Sequence, residues 1–113
     1  MDSTRQKKIA RLLQRELSEI FMREARHWTL GAMVSVSKVR ISPDLALAKA
    51  YISIFPSDKK EKVYTEINNN VSGMRRFLGL RVGKQMRIVP NLQFFIDDSL
   101  DYIDNIDRLL KDS

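Results

Sequence analysis

The spacing of apolar residues changes along this chain from a helical period to strict alternation. Over the first 25 residues, apolar side chains recur every three or four positions, which predicts an amphipathic helix over residues 4–25. Ser3 and Gln6 have the spacing of a capping box at its start. The apolar stripe consists of Ile9, Leu12, Leu13, Leu17, Ile20 and Phe21. Such a stripe has to be buried against another layer of structure.

The alternating segment predicts two strands joined as a hairpin. The first strand covers residues 33–42, and its apolar residues change parity midway, which predicts a β-bulge near Ser37 or Lys38. Residues 42–44, Ser-Pro-Asp, have turn chemistry. The second strand covers residues 45–55. On one of its sides lie Ala46, Ala48, Ala50, Ile52 and Ile54.

The second half returns to the helical period and ends with another strand. Pro56 ends the hairpin, and Ser57 is predicted to cap a helix that begins at Asp58. Asparagines and a glycine interrupt that helix, which predicts a bend at residues 71–73. A second helix, a strand at residues 91–97 and a final helix capped by Asp98 or Ser99 should follow.

The order α-β-β-α-kink-α-β with a C-terminal helix predicts an α+β fold with a three-stranded mixed sheet covered by helices. A length of 113 residues suits a single domain over residues 1–113. The order is that of a KH-type domain, in which a GxxG loop clamps the nucleic-acid backbone. No two glycines here are three residues apart, so the usual clamp is absent from the sequence.

The charge of the chain favours a polyanionic partner. The formal net charge is +6, and residues 71–87 carry five basic residues and no acid, whereas residues 97–113 carry six aspartates and two basic residues. Charge alone does not choose between nucleic acid and a membrane surface. No apolar stretch is long enough for a membrane span or a signal sequence, so we expect a soluble protein.

Catalytic and metal-binding motifs are absent from the sequence. There is no cysteine, and His27 is the only histidine, so a hydrolase would have to depend on it. The four glycines form no nucleotide-binding motif. The C-terminal aspartates lack the pattern of a calcium loop, and helix capping or solvation explains them better. We therefore expect a protein that is not an enzyme and holds no cofactor or metal.

Three strings of residues resemble the bacterial ribosome-binding factor A family. They are VRISPDLALAKAYISIFP at 39–56, VSG at 71–73 and LRVGKQMRIVPNLQFFIDDSLDYIDNIDRLL at 80–110. The resemblance implies a type II KH-like fold with an Ala-x-Gly kink instead of the GxxG loop. Ser72 and Gly73 match that kink, and Val71 stands where alanine is usual.

The resemblance also implies a cytoplasmic ribosome assembly factor. Such a factor binds the immature small (30S) subunit and its 16S ribosomal RNA, and supports late maturation, rRNA processing and growth in the cold. We expect a monomer with no membrane contact. The basic residues predicted to contact RNA phosphates are Arg75, Arg76, Arg81, Lys84 and Arg87, with Lys7, Lys8, Arg11, Lys38 and Arg40 as additions.

Two further predictions concern surfaces. Phe94 and Phe95 lie in an apolar strand and are predicted to belong to the core rather than to stack on bases. The amphipathic first helix leaves open a second interpretation, a module that binds a membrane surface or a protein partner. The need to cover the sheet with that helix favours the RNA-binding interpretation.

Overall fold

The computed structural model describes residues 3–97, which form three helices and one sheet. The helices are α1 (Thr4–Arg23), α2 (Lys60–Asn69) and α3 (Val71–Val82), and the strands are β1 (Met33–Ile41), β2 (Leu47–Phe55) and β3 (Asn91–Ile96). Short 3₁₀ turns span Arg26–Trp28 and Ser57–Lys59. The predicted α+β, type II KH-like order is confirmed. The predicted C-terminal helix and its cap lie outside the described residues.

The start of α1 forms the predicted capping box. The Gln6 backbone N–H donates to Ser3 Oγ at 3.1 Å, and the Ser3 N–H donates to Gln6 Oε1 at 3.0 Å. The amide of Gln6 also donates to the Ile41 carbonyl at 3.0 Å, which ties the first turn of α1 to the end of β1. The helix then buries Leu13, Leu17 and other members of its apolar stripe. It ends two residues before the predicted limit.

β2 is the central strand of the mixed sheet. It pairs antiparallel with β1 and parallel with β3. The register of β1 shifts between Val36 and Lys38, which confirms the predicted bulge. Gln14 on α1 donates to the carbonyls of Val36 and Ser37, both at 3.2 Å, so the bulge is fastened to the helix above it.

A side-chain network closes the turn between β1 and β2, as predicted. The Ser42 hydroxyl donates to Asp44 Oδ1 at 2.7 Å, and the same carboxylate accepts the Ala46 N–H at 3.1 Å. These hydrogen bonds, that of Ser42 first, lower the pKa of Asp44 below its ordinary value. Because the turn extends through Ala46, β2 begins at Leu47 rather than at Leu45, and Ala46 is exposed instead of facing the core.

The helices cover one face of the sheet and leave the other open to solvent. Along β1 and β2, alternate residues are buried beneath the helices, and Ala48, Ala50 and Ile52 are completely enclosed. Phe94 of β3 packs edge-on against Phe21 of α1, with ring centroids 5.8 Å apart. The burial of Phe94 confirms its predicted place in the core. This layering puts the buried apolar positions of the sheet against α1, α2 and α3.

Two predictions about the helix pair are wrong by a few residues. Ser57 does not cap α2, because it lies in a 3₁₀ turn and α2 starts at Lys60. The break between α2 and α3 falls at Asn70, whose φ of −121° leaves the helical range. Residues 71–73 therefore form the first turn of α3 rather than a bend. Asn70 Nδ2 donates to the Glu66 carbonyl at 2.7 Å and holds this junction.

Candidate nucleic-acid interface

A tryptophan packs against the first two turns of α3. Trp28 lies so close to Gly73 that a Cβ atom on residue 73 would come within 2.6 Å of the indole ring. The same indole contacts Phe77 one turn further along α3, with ring centroids 5.9 Å apart. A side chain at residue 73 would therefore force Trp28 or α3 to move. Val71 is half-buried against the core, so α3 accommodates a β-branched residue at this position.

The N-terminus of α3 offers features that suit an anion. No side chain caps this end of the helix, and its first turn contains no acidic residue. Free backbone N–H groups and the helix dipole favour negative charge at such an end. A shallow groove of about 420 Å³ adjoins it, and Ser72, Arg75, Arg76 and Arg87 line that groove. Residues from α3 and from the loop before β3 thus meet at one place.

The arginines of the groove differ in what holds them. Arg75 donates through Nε to the Pro90 carbonyl at 3.2 Å and through a terminal nitrogen to the Val89 carbonyl at 2.7 Å. These bonds fix its guanidinium, and no carboxylate of residues 3–97 pairs with it. Arg76 and Arg87 are exposed and form no ion pair with another residue in 3–97. The groove therefore combines one anchored cation with two that can move toward a ligand.

Arg81 lies in an ion-pair cluster rather than on the exposed surface where the prediction put it. Its side chain is only 18% exposed and pairs with Glu19 at 2.6 Å, Glu24 at 2.9 Å and Glu16 at 3.0 Å. Burial lowers the pKa of Arg81, but hydrogen bonds to the three carboxylates outweigh this effect and raise the pKa above its ordinary value. The charge of Arg81 is thus used to join α3 to α1, which removes it from the candidate phosphate contacts.

Arg5 is a cation near the interface that sequence reasoning missed. It lines a second groove, of about 280 Å³, together with Arg87, Met86 and Asp44. The two arginines are distant in sequence, and only the packing of α1 beside residues 85–88 brings them together. The α1 cations Lys7, Lys8 and Arg11 are exposed, as is Lys84 beyond the end of α3.

The remaining predicted cations lie on the open face of the sheet. Lys38 and Arg40 project there from β1, and Lys49 of β2 is directly opposite Arg40. Phe95 is on this face too, 37% exposed and stacked on Tyr51, so its predicted place in the core is wrong. Its position follows from the period of two, which points Phe94 inward and Phe95 outward. The predicted site is thus divided between two surfaces.

Features of other function classes are sparse in residues 3–97. His27 is exposed in the 3₁₀ turn and rests against Trp28, with ring centroids 4.7 Å apart. No group of three or more histidine, aspartate or glutamate side chains in this part of the chain could hold a metal ion. Of the C-terminal aspartates, only Asp97 lies within residues 3–97. None of the helices described is long and apolar enough to cross a membrane.

Known proteins with related sequences share almost the whole length of this chain. A family model described as ribosome-binding factor A matches residues 5–110. This chain belongs to the ribosome-binding factor A family. Ribosome-binding factor A of Christiangramia forsetii is 46% identical over 111 residues, covering 97% of this chain and 85% of the relative. Ribosome-binding factor A of Cytophaga hutchinsonii is 40% identical over 110 residues, covering 97% of this chain and 83% of the relative.

Solved ribosome-binding factor A structures share the fold. The crystal structure of the Thermus thermophilus protein aligns with a TM-score of 0.67 at 22% identity, covering 80% of this chain and 94% of that one. A Thermus thermophilus ribosome-binding factor A model fitted into a cryo-EM map of a 30S complex aligns with a TM-score of 0.60 at 22% identity, covering 78% and 90%. The sheet and helices described above are therefore those of ribosome-binding factor A.

Proposed function

We propose that this protein is a ribosome assembly factor that binds the immature 30S subunit by contacting its 16S rRNA. It supports late maturation and rRNA processing, and growth in the cold depends on it. It acts in the cytoplasm as a single-domain monomer that has no catalytic role. The observation that carries this proposal is the arginine-lined groove at the uncapped N-terminus of α3. The Thermus thermophilus homologue placed in a 30S complex supports the choice of partner.

A phosphate group fits the groove by charge and by hydrogen bonding. The anchored guanidinium of Arg75 supplies fixed donors, and Ser72 brings the uncapped first turn of α3 to the same groove. Arg76 and Arg87 supply the movable charges. Such contacts position a protein on the RNA backbone without reading base sequence, and each one makes affinity fall with salt. Specificity then arises from the shape of the folded RNA.

The membrane alternative loses its basis in the packing of α1. Leu13, Leu17 and Ile20 have no solvent-exposed surface, because the stripe that would enter a lipid interface covers β1 and contacts α3. An interfacial helix requires that stripe to be available to the membrane. Extracting α1 would expose the core of the sheet, so the RNA-binding proposal accounts better for the amphipathic pattern.

Co-sedimentation with purified small subunits and with intact ribosomes, at low and raised salt, tests the proposal. The double variant Arg76→Glu/Arg87→Glu should lower affinity for small subunits by roughly tenfold or more and flatten its salt dependence, because two phosphate contacts become repulsive. The matched control Arg23→Glu/Lys62→Glu makes the same charge change at exposed residues away from the groove.

The outcomes separate the site from the partner. An equal loss of small-subunit affinity in Arg76→Glu/Arg87→Glu and in the control Arg23→Glu/Lys62→Glu would mean that net charge, and not the groove, determines binding. Unchanged binding of Arg76→Glu/Arg87→Glu would exclude the groove as the contact surface. Absence of wild-type binding to small subunits would overturn the proposed function itself.

A further inference from the structure

The open face of the sheet carries an ordered arrangement of side chains from all three strands. Strand register places Lys38 of β1 opposite Tyr51 of β2, and Tyr51 beside Phe95 of β3. The neighbouring row consists of Arg40, Lys49 and Gln93. Adjacent strands lie about 4.8 Å apart, and residues two apart in a strand lie roughly 7 Å apart. Lys38 and Lys49 are therefore neighbours of Tyr51, and Arg40 lies diagonally from it.

The charge of this face is positive in the part of the chain that the structure describes. None of the three strands contains an acidic residue. Asp97 directly follows β3, and its carboxylate accepts a hydrogen bond from the Ser37 hydroxyl at 2.5 Å. Lys38, Arg40 and Lys49 form no ion pair or side-chain hydrogen bond with another residue in 3–97. Their charges are available to an external anion.

The aromatic pair is built for stacking rather than for packing a core. The rings of Tyr51 and Phe95 are 5.5 Å apart at an interplanar angle of 27°, and Phe95 is exposed. Because the two rings stack on each other, a base can reach only their outer faces and edges, which the sheet holds in place. Unpaired nucleic-acid bases stack on such surfaces in proteins that combine them with positive charge. A paired helix would hide its bases from these rings.

We propose that the open sheet face is a second RNA-binding surface, which stacks unpaired bases on Tyr51 and Phe95. Lys38, Arg40 and Lys49 hold the phosphates of the same single-stranded segment. This inference rests on the proposed function, because it assigns a further part of the same RNA partner to the protein. The groove at α3 and the open face lie on opposite sides of the sheet. A duplex in the groove and a single strand on the sheet can thus be bound together.

Fluorescence anisotropy with a labelled octauridine, and with a labelled RNA duplex for comparison, tests the second surface. The variant Tyr51→Leu/Phe95→Leu keeps an apolar side chain at both positions and removes both rings. We expect its dissociation constant for octauridine to rise by roughly tenfold or more, as stacking energies imply, with duplex binding unchanged. Phe55→Leu is the comparison variant, since it removes an exposed ring from the same face at the far end of β2 and so tests whether the Tyr51–Phe95 pair itself is needed.

Three results would overturn this inference. The first is wild-type protein that co-sediments with small subunits but does not bind octauridine, which would leave the proposed function intact. The second is an equal loss of octauridine binding in Phe55→Leu, which would mean that any exposed ring suffices. The third is a Tyr51→Leu/Phe95→Leu variant that binds octauridine normally but no longer co-sediments, which would assign the face to a ribosomal protein.

Charge variants complete the test. Lys38→Glu/Lys49→Glu should weaken octauridine binding and reduce its salt dependence, because both lysines contact phosphates in the proposed complex. Octauridine binding that stays as salt-dependent as in the wild type would contradict the assignment of these residues. Circular dichroism of every variant confirms that the sheet is intact before binding is compared.

Discussion

The contact between Gly73 and Trp28 determines how closely the turn after α1 approaches α3. A methyl group at residue 73 would lie 2.6 Å from the indole, so Gly73→Ala should lower the free energy of unfolding by about 1 to 3 kcal/mol. Gly79→Ala is the matched control, because its Cβ would meet Val89 at an ordinary 3.5 Å. That change should stabilise α3 by about 0.5 to 1 kcal/mol. Urea unfolding measures the free energy of unfolding of both variants. Changes of the same sign in the two variants would contradict the steric argument.

We expect Arg81 to contribute to stability rather than to RNA binding. Replacing it with leucine leaves Glu16, Glu19 and Glu24 without their shared cation, and we expect a loss of about 2 kcal/mol in unfolding free energy. Folded Arg81→Leu protein should co-sediment with small subunits as the wild type does. A loss of subunit binding without a loss of stability would return Arg81 to the phosphate contacts.

At the scale of elements, the turn between β1 and β2 predicts a pH dependence. Because folding lowers the pKa of Asp44, its carboxylate stabilises the protein above the ordinary pKa of 3.8, and this contribution disappears as pH falls through the lowered value. The melting temperatures of wild type and Asp44→Ala should therefore differ at neutral pH and converge below pH 3.8. Melting temperatures that differ equally at every pH would contradict a role for the ionised group.

Sequence predicts local features of these elements better than it predicts their surroundings. The capping box of Ser3 and Gln6 and the bulge near Ser37 depend on neighbouring residues, and both are confirmed. Composition placed the break between α2 and α3 at residues 71–73, one residue beyond Asn70, because the asparagines and Gly73 mark only the region and not the residue at which the helix breaks. Arg81 could not be assigned from sequence, since its partners are on α1 and directly after it.

At the scale of the whole molecule, the positive charge divides between two sides of the sheet. Residues on opposite sides share no partner, so their contributions to binding free energy should add. The quadruple variant Arg76→Glu/Arg87→Glu/Lys38→Glu/Lys49→Glu should lose the sum of what the two double variants lose in small-subunit affinity. Co-sedimentation titrations measure this, and a quadruple variant no weaker than one of the doubles would show that only one side touches the subunit.

The parallel pairing of β2 with β3 has a consequence for how the chain is made. Leu47 pairs with Asn91, so β3 can add to the sheet only after α2 and α3 have been synthesised. Until then one edge of β2 has unpaired backbone groups, which invite pairing with another chain. The hairpin and α1 can assemble early because their contacts are closer in sequence. Biogenesis of this protein therefore passes through a late, aggregation-prone stage that ends only when β3 leaves the translating ribosome.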